Sequence, residues 1–223
     1  MNKKLSVLFF WLIAVTSALM ALSFAIAVPI YFRPFYYHQV DSLNMVEESG
    51  FDRDVIIDAY DELLDCLTWG KPFGTGELHY SESGRSHFMD CKVLFDLDRN
   101  VFLASAGILI ITLIVKKKLD LPSLKIKDRF GPTFFGGIGA VLIPALFAIY
   151  AVTDFDRAFE FFHKIFFPGK TNWVFDPYED EIILVMPEQF FANCGILIGL
   201  VLLLIVTGLI VFGLRPSKKR DRR

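Results

Sequence analysis

Four apolar blocks decide what this chain can fold into: Leu5 to Ile30, Val101 to Val115, Phe130 to Val152 and Phe190 to Leu214. They are too long for the core of a soluble domain. A bilayer crossing takes roughly 20 apolar residues, and three of the blocks reach that outright. The second has only 15 clean residues, so its helix must continue into the charged run before it or sit against protein. The chain therefore reads as an all-α membrane protein. Its expected architecture is a four-transmembrane-helix bundle with a small, mainly helical extracytoplasmic domain, formed by the loops joining spans one to two and three to four.

Basic residues set the expected orientation, because Lys and Arg collect on the cytoplasmic side. Lys3 and Lys4, the link 116–129 and the tail 215–223 together hold 14 of the 23 basic residues but only 3 of the 25 acidic ones. Segments 31–100 and 153–189 hold the acidic majority. Both termini and the short link are thus expected inside, and the two acidic segments outside. These basic residues are ordinary membrane anchors, which argues against nucleic acid as a partner. The first block has a secretory-signal look, with Ala25-Ile26-Ala27 as a cleavage-like site, but its apolar run far exceeds the 7–15 residues of a signal core. It is expected to stay as a helix. Cys66 and Cys91 fall on the outer side and could pair, Cys194 falls in the last span, and no cysteine spacing is of the metal-binding type.

After the first span, Pro29 and Pro34 predict a break, amid an aromatic belt of Tyr31, Phe32, Phe35, Tyr36 and Tyr37. Residues 38–50 read as loop. Ser49 is a candidate N-cap for a helix from Asp52 to Thr68, whose Val55, Ile56, Ala59, Tyr60, Leu63, Leu64 and Leu67 recur with helical period before Gly70. Residues 70–84 are rich in turn residues. In the next stretch His87, Asp90, Cys91 and Leu94 share one helical face. A straight helix from His87 to Val101 would lift the imidazole about 21 Å above the start of the span, so a bend around Asp96 to Asn100 or a tilt is expected. Span three carries Gly131, Gly136, Gly137 and Gly139 for close helix contact, and Pro144 for a kink. Ile182 to Met186 reads as a short strand, and Pro187 suits the first turn of the last span.

The most chemically loaded stretch is Phe159 to Pro177, where one imidazole, His163, sits among six phenylalanines and a tryptophan. Its helical neighbours are Phe159, Glu160, Phe166 and Phe167, and Pro168-Gly169 ends the helix. By itself this describes an aromatic helix resting on a bilayer. No P-loop, dinucleotide fingerprint, HExxH motif or internal repeat is present. From the residues alone, three readings stay open. A Cys91–His87 pair could form an acyl-enzyme. A metal hydrolase could use His79, His87, Asp90 and His163, although without tight ligand spacing. The chain could also be a non-catalytic membrane sensor or adaptor with an acidic outer domain.

Two segments carry a resemblance: His87 with Phe88-Met89-Asp90 and Leu94-Phe95, and His163 with Phe166-Phe167-Pro168-Gly169, Trp173, Phe175-Asp176-Pro177 and Pro187-Glu188-Gln189-Phe190-Phe191. Along essentially its whole length the chain resembles the bacterial lipoprotein intramolecular transacylases, Lit. The resemblance implies a four-span enzyme of Gram-positive bacteria. It would act on a lipoprotein whose N-terminal cysteine bears a diacylglyceryl thioether, moving the sn-2 acyl chain to that cysteine's α-amine. It further implies His87 and His163 as the catalytic pair, with lipoprotein and membrane lipid as partners, a monomer, no cofactor and no metal.

The implied chemistry is sound from first principles. A substrate with two acyl chains gains roughly 0.8 kcal/mol per buried methylene and stays in the membrane. Amine and ester belong to one molecule, so proximity supplies the effective concentration and no enzyme nucleophile is required. Two imidazoles suit the removal of a proton from nitrogen and its delivery to the leaving oxygen. Either assignment of base and acid is open, with His87 the first choice for base. Asp90 and Glu160 are candidates to orient the rings, and Asn172 and Trp173 to donate hydrogen bonds to the carbonyl or oxyanion. If both rings serve one tetrahedral centre, their nitrogens must lie about 5–7 Å apart. Some of Phe159, Phe162, Phe166 and Trp173 would line a site open to lipid at headgroup depth.

Overall fold

The computed structural model describes residues 2–215, and among these it has helices but no β-strand. The part of the basic tail beyond Arg215 lies outside the described residues. Four helices are long and apolar enough to cross a membrane: α1 (Asn2–Tyr31), α5 (Glu82–Lys118), α6 (Pro132–Thr153) and α8 (Glu188–Leu214). Between them come α2 (Pro34–Ser42), α3 (Met45–Ser49), α4 (Arg53–Trp69), α7 (Phe155–Phe166) and a 3-10 turn, Glu181–Val185.

The chain divides into two compact units. Of the described residues, one comprises 2–25, 99–146 and 199–215 and holds a long apolar part of each of the four long helices. Here α6 approaches α1 and α8 closely, because it lacks side chains at the points of contact. A Cβ on Gly136 would stand 2.7 Å from the Ala14 carbonyl oxygen of α1, and one on Gly137 would stand 3.3 Å from that of Val206 in α8. The glycines expected to allow close contact do so at these points. Outward apolar side chains such as Ile143 and Leu204, each 75% exposed, suit a lipid environment.

The other unit, residues 26–98 and 147–198, has its own hydrophobic core. The predicted stripe of α4 supplies Ile56, Ala59, Tyr60, Leu63, Leu64 and Leu67 to it. Tyr36 stacks on Tyr60 with ring centres 3.5 Å apart and donates to the Val185 carbonyl at 2.7 Å. Arg33 pairs with Asp61 at 3.1 Å and with Asp65, tying the start of α2 to α4.

Four local expectations are corrected here. Pro29 does not end α1: it removes one ladder bond, but the ladder resumes when Phe32 N–H reaches the Val28 carbonyl at 2.9 Å. Residues 38–50 are not loop but the end of α2 and all of α3, since Tyr36, Gln39, Val40 and then Met45 are buried at helical spacing. Ser49 caps nothing at α4. Its hydroxyl donates to the Met45 carbonyl at 2.6 Å, and Asp52, with extended backbone, takes the N-cap position. The segment read as a strand is the 3-10 turn, which puts Ile182 and Val185, three apart, on one fully buried edge. Finally, α5 is one continuous helix of 37 residues, so span two does extend into the charged run before it.

Candidate active site

His87 lies near the start of α5, and that start is anchored from a distant part of the chain. Asp180, only 3% exposed, accepts from Ser81 N–H at 2.8 Å and from the Ser81 hydroxyl at 2.9 Å. The hydroxyl in turn accepts from Gly84 N–H at 2.9 Å, capping the helix. His79 and Glu181 complete the clip, exchanging a 3.1 Å backbone bond and a 2.7 Å bond from His79 N–H to the Glu181 carboxylate. A carboxylate at this end also complements the helix dipole.

His163 sits near the end of α7. Asp154 caps that helix through the Arg157 N–H at 3.1 Å. On one side Ala158 and His163 are buried, while Phe161, Phe162, Ile165 and Phe166 remain exposed. The helix stops where Phe167 N–H reaches the His163 carbonyl, and Gly169, at φ +74°, turns the chain into a strap over residues 167–175.

The two imidazoles meet, with ring centres 5.7 Å apart and each histidine only 5% exposed. Phe167 packs edge-on against His87 at 4.8 Å, Phe175 at 5.6 Å, and Trp173 stacks on His163 at 4.6 Å. The rings differ in their bonds. His163 Nδ1 lies 2.7 Å from the Phe159 carbonyl oxygen, which can only accept, so Nδ1 carries the proton and Nε2 keeps its lone pair in the neutral ring. His87 Nε2 lies 3.4 Å from Cys91 Sγ, and its Nδ1 is buried with no protein partner.

The strap is held to α5 by polar contacts. Lys170 pairs with Asp90 at 2.5 Å, and the Asn172 amide donates to Asp90 at 3.2 Å and to Ser86 at 3.4 Å. Burial, then repulsion from His163, pushes the His87 pKa down to about 4, while Asp90 opposes the shift. Burial also lowers that of His163, and the Phe159 carbonyl opposes it. Lys170 holds the Asp90 carboxyl below its usual range, and burial raises the Cys91 thiol to about 12.

A model of the lipoprotein intramolecular transacylase Lit matches residues 11–191. The chain belongs to the Lit family. It is therefore a membrane acyltransferase. Among solved structures it is similar to the membrane integral Lit of Bacillus cereus, with 25% identity and a TM-score of 0.84 over 94% of each chain. It also matches two forms of that protein with single histidine substitutions, each with 25% identity and a TM-score of 0.77. The form with arginine is matched over 94% of this chain and 91% of that one, and the form with alanine over 95% and 94%. No curated protein sequence matches this chain significantly.

Of the residues singled out in this Lit chain from sequence, His87, His163, Asp90, Asn172 and Trp173 converge. Glu160 does not orient His163: it is half-exposed and pairs with Lys164 at 2.5 Å, because the Phe159 carbonyl already holds Nδ1. Trp173 spends its N–H on the Lys170 carbonyl at 3.0 Å and serves as a stacking wall. His79 Nδ1–H donates to the Glu179 carbonyl, 3.0 Å away, in the clip below α5. Among the described residues no three His, Cys, Asp or Glu side chains are grouped as metal ligands, and all three cysteines are unbridged. Sequence reasoning missed Phe175 as a wall, Lys170 as the partner of Asp90, and the Ser81–Asp180 anchor. These pairs are separated by 80 to 99 residues, and no local period announces them.

Proposed function

We propose that this chain transfers the sn-2 acyl group of a diacylglyceryl-modified lipoprotein to the α-amine of the lipoprotein's own N-terminal cysteine, giving an N-acyl, S-monoacylglyceryl product. The observation that carries this reading is the meeting of two buried imidazoles with non-equivalent hydrogen bonds. With its Nδ1 proton committed to Phe159, His163 is the general base. The amine nitrogen attacks the ester carbonyl carbon and the C–N bond forms. His163 Nε2 takes the proton that the nitrogen must shed. As the tetrahedral centre collapses, the bond to the sn-2 glyceryl oxygen breaks and His163 returns that proton to it. One proton has moved from nitrogen to oxygen, and the products are an amide and an alcohol. Burial disfavours the intermediate imidazolium, which helps it to give the proton up.

His87, held neutral at pH 7, is in this scheme a hydrogen-bond donor to the carbonyl oxygen through Nδ1–H, as a neutral imidazole can be. This reverses the first assignment drawn from sequence. Rings 5.7 Å apart leave room for both to reach one carbon centre across about two hydrogen-bond lengths. Phe167, Phe175 and Trp173 exclude water that would otherwise hydrolyse the ester. The exposed face of α7 would rest among lipid headgroups, presenting the site to a substrate that cannot leave the membrane.

In this reading residues 31–100 and 153–189 form an extracytoplasmic domain, with both termini and the link 116–129 inside and the enzyme acting as a monomer. Reporter fusions at Asp61 and Asp180 should report outside and one at Ser123 inside; the opposite at Asp61 defeats the topology. The test of function is mass spectrometry of lipoprotein N-termini in a bacterial host lacking its own N-acylation. Expression of the wild-type chain should convert diacylglyceryl N-termini to the N-acyl, monoacylglyceryl form without change in total acyl count, and His163→Ala should not. A product with one acyl chain fewer would mean hydrolysis instead.

A further inference from the structure

The Asn172 amide has a fixed orientation. Its nitrogen faces Asp90, a carboxylate whose ionised form only accepts, so the amide cannot be flipped without setting two acceptors against each other. Its carbonyl oxygen, Oδ1, therefore points elsewhere, and there it is sealed from solvent with no protein partner. A buried acceptor without a donor is costly, on the order of 1–3 kcal/mol, unless something supplies the donor. The position is also telling. Asn172 bonds to Ser86, the residue before His87, and precedes Trp173, which stacks on His163. Asn172 is thus tied to the turn of α5 that carries His87 and adjoins the residue stacked on His163.

We propose that Asn172 Oδ1 receives an N–H of the substrate's α-amine and is the residue that selects a free amine at this site. The proposal rests on the acyl-transfer reading above. At the reacting end of such a substrate the two esters only accept hydrogen bonds, and the α-amine is the donor that must lie beside His163. An amine attacking through its lone pair keeps two N–H bonds. Giving one to Asn172 turns the lone pair toward the carbonyl carbon and leaves the other for His163. A neutral amide suits the task better than a carboxylate. A carboxylate would stabilise the ammonium, which has no lone pair, and the nearby Asp90 is already occupied by Lys170 and by Asn172 itself. An N-terminus that already bears an acyl group is an amide, bulkier and with one N–H, and fits this acceptor poorly.

The test uses the full-length enzyme and two unreactive probes, lipopeptides with ether in place of ester at both glyceryl positions, one with the α-amine and one lacking it. Inhibition constants are compared at pH 8.5 against turnover of the ester lipopeptide. Wild type should bind the amine probe about tenfold more tightly, the worth of one buried hydrogen bond. Asn172→Leu should bring the ratio to near one. A merely structural role would weaken both probes alike and leave the ratio intact, and that result overturns the proposal, as does a wild-type ratio of one.

If Asn172→Leu fails to fold, Asn172→Asp decides. It keeps an acceptor but adds charge beside Asp90, Lys170, His87 and His163, so the acid limb of kcat should move to higher pH as the bound ammonium is stabilised. An unmoved limb in the Asp variant overturns the proposal. Wild type that turns over the ester lipopeptide but shows no preference for the amine-bearing ether probe sinks only this inference, whereas wild type that fails to transfer acyl at all sinks the function on which it rests.

Discussion

Helices α5 and α7 each bury one histidine to the same degree, yet leave the rings chemically unlike. On α7 the imidazole is tethered by its own helix: the carbonyl four residues back fixes the tautomer and exposes a lone pair at Nε2. On α5 the ring lies near a weak sulfur partner through Nε2, and its Nδ1 meets no protein group. The α5 ring also carries the deeper pKa depression. Equal burial therefore does not mean equal role. What separates a base from a donor here is which nitrogen the local backbone has already used.

Substitution should break this comparison most visibly. Removing the base, His163→Ala, should lower kcat/KM by about 10³–10⁴-fold, and His163→Gln should do no better because an amide cannot take the proton. His87→Ala should cost about 10²–10³-fold, the range for a lost oxyanion donor. His87→Gln restores an N–H and should recover at least tenfold of that loss. The reverse pattern, rescue at 163 and none at 87, would exchange the two roles.

The difference should also appear in stability against pH. The folded pKa of His87, about 4, lies below the ordinary 6.5. Between these values the unfolded chain binds the proton and the folded chain does not, so stability is full above pH 6.5 and falls as the pH drops toward 4. The loss is on the order of 3 kcal/mol over that window, and it is read from urea unfolding in detergent. His87→Phe, of similar volume, should remove most of this slope, while His163, whose shift is in the same direction, should account for part of what is left. An unchanged slope in His87→Phe would mean that His87 is not buried as described.

How much of this was legible beforehand depends on the range of the forces involved. The four spans follow from composition, and α4 from a stripe of seven apolar residues at helical spacing. Both are local signals. Helices α2 and α3 were hidden because their few buried residues, Tyr36, Gln39, Val40 and Met45, are scattered through polar sequence and become helical by docking on α4 and the 3-10 turn. His87 and His163 were singled out by chemistry and resemblance, but their bonding was not. The Phe159 carbonyl competes with Glu160 for the same ring nitrogen, and spacing alone cannot say which wins. Lys170 to Asp90 and Ser81 to Asp180 are long-range pairs, invisible to any periodicity.

The anchor below His87 gives a smaller effect, specific to α5. A Cβ on Gly84 would overlap the Asp180 carboxylate and reach the Phe175 ring at 3.0 Å. Gly84→Ala should therefore cost about 1–3 kcal/mol, as overpacking does, despite the gain in helix propensity. Because Phe175 also packs on His87, activity should fall further than in a control such as Gly50→Ala, which disturbs only a left-handed turn. Stability and turnover equal to wild type would show that Asp180 and Phe175 are free to shift.

The smallest effect should come from Cys91, and it bears directly on what α5 contributes. Cys91 Sγ lies 3.4 Å from His87 Nε2, the geometry an acyl-enzyme would need. Burial, however, holds the thiol near 12, so at pH 8 only about one molecule in ten thousand would carry the nucleophilic thiolate. The neighbouring imidazole offers no help as an imidazolium, since it stays neutral at that pH. The sulfur is then a packing neighbour that steadies the His87 tautomer. Cys91→Ala and Cys91→Ser should both keep activity within about tenfold, the serine variant closer to wild type because it can still bond Nε2. A folded Cys91→Ala that loses more than a hundredfold, or an acyl group trapped on Cys91 and seen by mass spectrometry, would move the first bond-forming step from the substrate's amine to the enzyme. The two histidines would then have to be reread as the pair that activates a thiol.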